Sequence, residues 1–264
     1  MKLFDLFDLF LIDLDGVVYV GDIPTIGAKE TLSTIRESGK RLIFLTNDPR
    51  SSSSDYSEKL EKMNIQAASD DVITSGMAIA HHIRDSFDIN HKKAYVVGSL
   101  ALKMEIEKIG IKLCYGEAAK GVDFVIVGGH QEFSYEEMKL ASLAVRNGAH
   151  FFATNRDPVF PTAEGLVPAT GAILASIEVA SGKKAVVAGK PESMMFEVAK
   201  EIGCPHSRAV IIGDRLDTDI LGGKRAGIKT ILALSGSTKA DDVSKSGIKP
   251  DYVIDDLRGL IKEL

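Results

Sequence analysis

The sequence has few cysteines and no membrane-spanning run. Its two cysteines, Cys114 and Cys204, are far apart and lack the spacing of metal ligands, so we expect both to be buried free thiols in a reducing compartment. No window is long and apolar enough to cross a bilayer. The apolar N-terminal stretch is interrupted by Asp5 and Asp8 and leads to no small-residue cleavage site, which argues against a signal peptide. We therefore expect a soluble cytoplasmic protein with no membrane partner.

The chain also lacks a basic region. Its formal net charge is −5, and its lysines and arginines form no cluster, so we expect no nucleic-acid partner. By contrast, 45% of the residues are hydrophobic and 26% are charged, and no tract is of low complexity. The chain can therefore bury a substantial core. A length of 264 residues allows one large domain or two smaller ones.

Short apolar runs alternate with helical segments along the whole chain. This alternation predicts parallel sheets flanked by helices and joined by right-handed crossovers. A polar stretch at residues 90–93 is a candidate boundary, and a second strand–helix series begins beyond it. Residues 182–184 have the character of a linker that returns to the first series. The sequence thus predicts an α/β fold in which one strand–helix series is inserted into another.

Polar side chains follow several of the predicted strands at the point where each strand ends. The carboxyl ends of parallel strands lie at one edge of a sheet, so these side chains can converge although they are distant in sequence. Asp13 and Asp15 are close enough to repel each other, which a shared proton or a bound cation would relieve; two solvated acids are the alternative. The set comprises Asp13 and Asp15, Thr46 and Asn47, Lys190, and Asp214.

These residue types share a coherent chemistry. Mg²⁺ prefers a few carboxylate oxygens and completes its coordination with water and substrate phosphate. A hydroxyl, an amide and a lysine supply hydrogen-bond donors and positive charge for a phosphoryl group. An aspartate can also act as a nucleophile and form an aspartyl-phosphate intermediate.

In the segments that contain these residues, the chain resembles the haloacid dehalogenase superfamily of phosphatases. The position of the inserted segment, together with residues 153–155 and 165–168, resembles the branch with a large C2-type cap, which contains the NagD-like and p-nitrophenyl phosphatases. The resemblance implies a Rossmann-like parallel-sheet core at residues 1–88 and 186–264, and an inserted α/β cap domain at residues 89–185. The four segments that carry the resemblance are residues 13–16, 46–47, 189–191 and 213–219.

The resemblance also implies catalytic and metal-binding roles. Asp13 would be the nucleophile and a Mg²⁺ ligand. Asp15 would protonate the leaving alcohol and then activate water, while its backbone carbonyl contacts the metal. Asp214 would be the second carboxylate ligand, and Lys190 would offset the charge of Asp13 and of the phosphoryl oxygens. Asp219 stands where the family often has a supporting carboxylate.

Phosphate binding is implied for three further residues. Thr46 and Asn47 would hold the phosphoryl group, and Asn155 matches a position that faces the site in relatives. Asp48 and His130 depart from the family pattern at positions that bear on substrate choice, and we expect His130 to be a non-catalytic loop residue.

The main hypothesis is a Mg²⁺-dependent hydrolase of a small phosphomonoester, such as a sugar phosphate, a nucleotide monophosphate or phosphoglycolate, with p-nitrophenyl phosphate as an artificial substrate. The cap would close over the site and read the leaving group. A phosphotransferase or phosphomutase on the same core is one alternative, and a non-catalytic regulator that binds a phosphorylated metabolite is another. Caps of this branch often pair, so a homodimer through the cap is a further expectation.

Overall fold

A computed structural model describes residues 2–162, 164–203 and 208–262 of the chain. The chain divides into two compact units. The first unit comprises Met1–Thr46, Ser53–Ile73 and Lys190–Leu264, and the second comprises Asn47–Ser52 and Thr74–Gly189. Within the described residues, no helix has the length and apolar character needed to cross a bilayer. Cys114 is a buried free thiol, as expected, whereas Cys204 lies outside the described residues.

Strands and helices alternate along most of the chain, as the sequence predicts. The strands are β1 (Leu9–Asp13), β2 (Tyr19–Val20), β3 (Ile23–Pro24), β4 (Arg41–Thr46), β5 (Val72–Thr74), β6 (Lys93–Val97), β7 (Lys112–Leu113), β8 (Phe124–Val127), β9 (His150–Ala153), β10 (Val159–Thr162), β11 (Gly165–Pro168), β12 (Val186–Val187), β13 (Ala209–Gly213), β14 (Lys229–Ala233) and β15 (Tyr252–Ile254). The α-helices are α1 (Ala28–Glu37), α2 (Ser53–Lys62), α3 (Ser75–Ser86), α4 (Leu100–Lys108), α5 (Tyr135–Arg146), α6 (Thr170–Ser181), α7 (Met194–Gly203), α8 (Leu221–Arg225) and α9 (Ala240–Ser246).

The sheet of the first unit has the strand order β15-β14-β13-β1-β4-β5. Strand β1 lies at its centre, in parallel register with β13 on one side and β4 on the other. All five residues of β1 are buried, which explains its unbroken apolar run. Because β4 and β13 both run parallel to β1, their carboxyl ends lie beside that of β1.

The second unit has its own parallel sheet, with the order β12-β9-β8-β6-β7, and an antiparallel hairpin formed by β10 and β11. Strands β8 and β9 are fully buried except at His150. Helices α5 and α6 cover this sheet with a cluster of apolar side chains that includes Leu140, Ala144 and Ile177. The predicted α/β class, with a parallel-sheet Rossmann-like core and an inserted α/β cap, is confirmed.

The two units divide at different residues from the boundaries expected at 88/89 and 185/186. The second unit already includes α3, whose end packs into it through an edge-on contact of Phe87 with Phe124 at 5.2 Å between ring centroids. At the other end, β12 pairs with β9, with Val186 opposite Phe152, so the second unit continues to Gly189. Backbone pairing and aromatic packing, which the polar stretch at residues 90–93 does not reveal, set these boundaries.

A buried carboxylate ties α6 to the loops around it. The side chain of Glu178 is only 4% exposed and accepts hydrogen bonds from Arg156 Nη2 at 2.7 Å and Lys184 Nζ at 2.6 Å. The backbone N–H of Ala185 donates a further bond at 3.1 Å. Burial by itself would raise the pKa of Glu178, but these donors outweigh it and lower the pKa from 4.5 to about 2.

Replacement of Glu178 by Gln should therefore destabilise the protein in a pH-dependent way. Because the folded-state pKa is depressed, the carboxylate contributes its full stability above pH 4.5 and loses that contribution as the pH falls towards 2. A shift of this size corresponds to roughly 3 kcal/mol at pH 7. Urea unfolding of the wild type and of Glu178→Gln at pH 7 and pH 3 measures the difference.

The matched control is Glu117→Gln, since Glu117 pairs with Lys120 but its side chain is 81% exposed. We expect this control to change the free energy of unfolding far less than Glu178→Gln does, because solvent screens an exposed ion pair. An equal loss for Glu178→Gln at both pH values would contradict the prediction.

Candidate active site

The carboxyl edge of the first sheet brings most of the predicted site residues together. Asp13 is the last residue of β1, Thr46 is the last residue of β4, and Asp214 directly follows β13. The register places Asp13 opposite Leu45, so the side chain of Thr46 begins one residue beyond it. Asp13, Thr46 and Asp214 are all buried. The convergence follows from the parallel topology, in which neighbouring strands end on the same side.

Lys190 connects two carboxylates of this edge. Its side chain is 3% exposed, and Nζ donates hydrogen bonds to Asp13 Oδ1 and, at 2.7 Å, to Asp219 Oδ1. Burial opposes a charged lysine, but the two carboxylates outweigh it and raise the pKa of Lys190 above its usual value. Lys190 therefore carries a positive charge between Asp13 and Asp219.

Asp219 is held in place by the turn that follows β13. Its Oδ2 accepts a hydrogen bond from the backbone N–H of Arg215 at 3.1 Å and from Thr218 Oγ1 at 3.4 Å. A Cβ atom at Gly213 would lie 2.1 Å from Cβ of Asp219, so only glycine fits at this strand end. Asp219, which the family resemblance implies only as a supporting carboxylate, is thus part of the buried cluster.

Asp214 is positioned by a loop after β14. The backbone N–H of Ser237 donates to Asp214 Oδ2 at 2.6 Å. A Cβ atom at Gly236 would lie 2.1 Å from the same oxygen, and one at Gly16 would lie 2.5 Å from it. The two glycines therefore let the backbone approach the Asp214 carboxylate from opposite parts of the chain.

Ser237 and Gly236 are site residues that the sequence reasoning missed. A signal was present, because Ser235, Gly236 and Ser237 form a polar segment that follows the apolar strand β14, as at the other strand ends. The hydroxyl of Ser235 also donates to the carbonyl oxygen of Gly16 at 2.8 Å, next to Asp15 in sequence.

The cluster has an excess of negative charge. One carboxylate oxygen from each of Asp13, Asp214 and Asp219 lies within 4.8 Å of the other two. Burial is the main cause that raises the pKa of Asp13 well above its usual value; the charges of Asp219 and Asp214 add to it, and Lys190 opposes it. Burial and the charge of Asp219 likewise raise the pKa of Asp214, against the hydrogen bond from Ser237. Three carboxylates facing one lysine form a donor set that suits a divalent cation.

Asp15 differs from Asp13 in its environment. Its side chain is exposed, although it lies only two residues beyond the buried nucleophile candidate. The backbone folds back here, since the N–H of Gly16 donates to the carbonyl of Tyr19 at 2.8 Å. This turn directs the chain into the short hairpin of β2 and β3. A buried carboxylate and an exposed one are thus presented at the end of one strand.

Asn47 and Asn155 belong to the second unit and contact each other there. Asn155 Nδ2 donates to the backbone carbonyl of Asn47 at 2.8 Å, and Asn47 Nδ2 donates to Asp157 Oδ2 at 3.1 Å. Asn155 is buried. Asp157 was not among the predicted site residues, and no sequence pattern pointed to its bond with Asn47.

The two residues that depart from the family pattern have partners within the second unit. Asp48 accepts hydrogen bonds from the guanidinium of Arg50 at 2.7 to 3.0 Å, and that guanidinium lies 4.3 Å from the ring centroid of Phe160. His130 Nε2 lies 3.4 Å from Glu137 Oε1.

Two families of known proteins match the chain. Residues 10–112 match the family described as haloacid dehalogenase-like hydrolase, and residues 187–260 match one described as HAD-hydrolase-like. Among curated proteins, the 5'-nucleotidase YutF of Bacillus subtilis is 35% identical over 94% of this chain and 95% of its own. The acid sugar phosphatase of Staphylococcus aureus is 34% identical over 97% of each chain.

Solved structures share the same fold over nearly the whole chain. The glycerol phosphate phosphatase of Mycobacterium tuberculosis, in complex with magnesium, is 33% identical and superposes with a TM-score of 0.91 over 98% of this chain and 78% of its own. NagD of Escherichia coli is 35% identical, with a TM-score of 0.86 over 95% of this chain and 96% of its own. The resemblance to the NagD-like branch is therefore confirmed.

Replacement of Lys190 by Met should strongly destabilise the first unit. The methionine would fill a similar volume but would leave Asp13 and Asp219 as buried carboxylates without their cation. Loss of one partner from a buried pair costs roughly 3–5 kcal/mol. Urea unfolding at pH 7 in the presence of EDTA measures this loss.

Lys229→Met is the control, because Lys229 forms an ion pair of the same 2.7 Å length with Asp251 but is 60% exposed. We expect Lys229→Met to lower the free energy of unfolding far less than Lys190→Met does, because solvent screens an exposed ion pair. Similar losses for the two variants would mean that the buried position of Lys190 adds nothing to its pairing.

Proposed function

The chain belongs to the haloacid dehalogenase-like hydrolases and is a phosphomonoester hydrolase, and on that premise we propose that it uses Mg²⁺ and an aspartyl-phosphate on Asp13 to hydrolyse a small phosphorylated metabolite. The buried cluster of Asp13, Lys190, Asp214 and Asp219 carries this proposal. Its carboxylate excess suits a divalent cation, and its lysine suits an anionic phosphoryl group.

The metal would be held by the carboxylates of Asp13 and Asp214 and by the backbone carbonyl of Asp15. A bound Mg²⁺ would offset the negative charge that Asp13 and the phosphoryl oxygens bring together. The fit of this donor set is supported by the raised pKa values of Asp13 and Asp214, because buried carboxylates in one cluster favour a cation or a proton among them. Asp219 is committed to Lys190 and to the backbone of Arg215, so we assign it to supporting the lysine.

In the first step, a carboxylate oxygen of Asp13 attacks phosphorus and the ester oxygen departs with a proton from Asp15. In the second step, Asp15 takes a proton from a water molecule that attacks the aspartyl-phosphate, which releases inorganic phosphate and restores Asp13. The exposed position of Asp15 suits a group that must reach both the leaving alcohol and solvent. The buried position of Asp13 suits a nucleophile that is shielded from bulk water.

Three donors would hold the transferred phosphoryl group. Lys190 would neutralise charge on its oxygens, while Thr46 and Asn47, which are consecutive at the end of β4, would bind them. Thr46 belongs to the first unit and Asn47 to the second. We propose that the first unit is the catalytic core and that the second unit is the cap.

Small phosphate esters are the proposed substrates. The relatives described above are named for nucleotides, sugar phosphates and glycerol phosphate, which share a phosphomonoester and differ in the leaving alcohol. A cap that closes over the site would exclude bulk water and select the leaving group. Transfer of the phosphoryl group to a second metabolite, or regulatory binding without turnover, are the competing outcomes of the experiment below.

Phosphate release from a panel of esters tests the proposed reaction. With Mg²⁺ we expect release from p-nitrophenyl phosphate and from at least one of a nucleotide monophosphate, a sugar phosphate and glycerol phosphate, and none with EDTA. Asp13→Asn removes the nucleophile and should lower kcat by about a thousandfold or more. Its thermal midpoint should stay close to that of the wild type, since Asn is of similar size.

Two results would contradict this reaction. Phosphate release that is unaffected by EDTA would show that the reaction does not require a metal ion. Full activity of Asp13→Asn would show that it does not proceed through an aspartyl-phosphate on Asp13. Phosphate transfer to an added alcohol or sugar in place of release to water would favour the phosphotransferase instead.

Replacement of Gly236 by Ala tests the proposed metal site without removing a ligand. The added Cβ would lie 2.1 Å from Asp214 Oδ2, so the carboxylate must move. We expect the Mg²⁺ concentration for half-maximal activity to rise by about tenfold or more. Gly121→Ala is the matched control, because a Cβ there meets nothing within 4 Å. An unchanged Mg²⁺ requirement in a folded Gly236→Ala protein would argue against Asp214 as a ligand.

A further inference from the structure

We propose that Asp157 is a positioning residue, which fixes the orientation of the Asn47 amide for the phosphoryl group. This inference rests on the proposed phosphate-binding role of Asn47. Asp157 lies on the segment that follows β9, here called the β9 loop (residues 154–158). Asn155 of this loop was among the predicted site residues, whereas Asp157 was not.

The carboxylate of Asp157 decides which end of the Asn47 amide faces it. Asn47 Nδ2 donates to Asp157 Oδ2 at 3.1 Å. An ionised carboxylate accepts hydrogen bonds but cannot donate them, so it selects the nitrogen and turns Oδ1 away. The amide oxygen lies on the side of Gly189, where an added Cβ would come within 2.7 Å of it. The orientation of the amide is therefore fixed by the chemistry of its partners.

The β9 loop also holds the backbone of Asn47. Asn155 Nδ2 donates to the carbonyl oxygen of Asn47 at 2.8 Å, and Asn155 Oδ1 accepts from the backbone N–H of Asp157 at 3.0 Å. Ser75 Oγ donates to the same carbonyl oxygen of Asn47 at 2.6 Å. Asn155 is buried, and both ends of its amide serve this network. Asn155 thus acts on Asn47, rather than on the phosphoryl group directly.

This arrangement matters because phosphoryl oxygens, like carboxylates, only accept hydrogen bonds. An Asn47 amide that rotated by half a turn would present its own oxygen to the phosphoryl group and repel it. By binding the nitrogen end, Asp157 removes that second orientation before substrate arrives. Such preorganisation lowers the cost of binding without any contact between Asp157 and the substrate.

The phosphoryl group is common to all substrates, and this gives the inference a distinctive consequence. A residue that acts through Asn47 changes the binding of every ester and of inorganic phosphate by the same factor. A residue that contacts the leaving group changes the binding of different esters by different factors and leaves the binding of inorganic phosphate unchanged. Inorganic phosphate as a competitive inhibitor is therefore the most informative probe.

The experiment compares Asp157→Ala with the wild-type enzyme. We expect the inhibition constant of inorganic phosphate to rise about tenfold, the size expected for loss of a hydrogen bond to a charged group. The KM values for p-nitrophenyl phosphate and for glycerol phosphate should rise by the same factor. Asp157→Asn should restore most of the affinity, because its amide oxygen can still accept the bond from Asn47. In an Asn47→Ala background, Asp157→Ala should have little further effect.

Asp123→Ala is the matched control for a lost carboxylate in the same unit. Asp123 accepts hydrogen bonds from Lys92 Nζ and from the backbone N–H of Lys93, each at 2.9 Å, and makes no bond to the β9 loop among the described residues. We expect it to lower the thermal midpoint without changing the inhibition constant of phosphate.

Three results would overturn the inference. The first is that Asp157→Ala changes KM by different factors for different esters and leaves the inhibition constant of phosphate unchanged. The second is that Asp157→Ala has its full effect in the Asn47→Ala background. The third is that Asp123→Ala changes the inhibition constant of phosphate as much as Asp157→Ala does. If Asn47→Ala alone leaves phosphate inhibition unchanged, the proposed role of Asn47 fails as well. The aspartyl-phosphate reaction itself is judged separately by Asp13→Asn.

Discussion

The gathering of three carboxylates around one buried lysine is the constraint on which the first unit depends. Asp13, Asp214 and Asp219 lie close together in a region from which water is largely excluded, and like charges repel strongly there. Lys190 offsets part of that charge through its bonds to Asp13 and Asp219. The remaining negative charge suits this edge of the sheet to a divalent cation, and the charge of Lys190 suits it to an anionic group. The cluster thus combines a net negative charge, which favours a cation, with a lysine, which favours an anion.

The parallel sheet makes this charge density possible. Strand β1 lies between β4 and β13, so residues from the N-terminal and the C-terminal parts of the chain reach one edge of the sheet. Close approach of the backbone completes the site, because Gly16, Gly213 and Gly236 leave space that any side chain would fill. The apolar strands anchor the carboxylates, and the glycine-containing turns set their orientation. The apolar strand residues therefore supply the packing, and the residues of the turns set the positions of the charged groups.

Asn47, to which we assign phosphate binding, is held by contacts within the second unit. Asn47 follows β4 directly in sequence, yet its backbone and its amide are both held by the β9 loop. The segment that carries this proposed phosphate-binding group is thus held by the unit that we assign as the cap. Arg156 of the same loop forms an ion pair with Glu178, which connects the loop to helix α6. The position of Asn47 consequently depends on how well this small unit is packed.

The sequence by itself determined the fold class and the residues at the strand ends. Buried strands need continuous apolar runs, and each such run ends visibly at Asp13, Thr46 or Asp214, so local pattern and topology were enough to predict their convergence. Only the tertiary structure decided how those groups are held. Ser237, Gly236 and Asp157 act through hydrogen bonds and close approaches between segments that are distant along the chain, and no local periodicity records them. The unit boundaries depended on the structure for the same reason, since the pairing of β12 with β9 and the packing of Phe87 are long-range contacts.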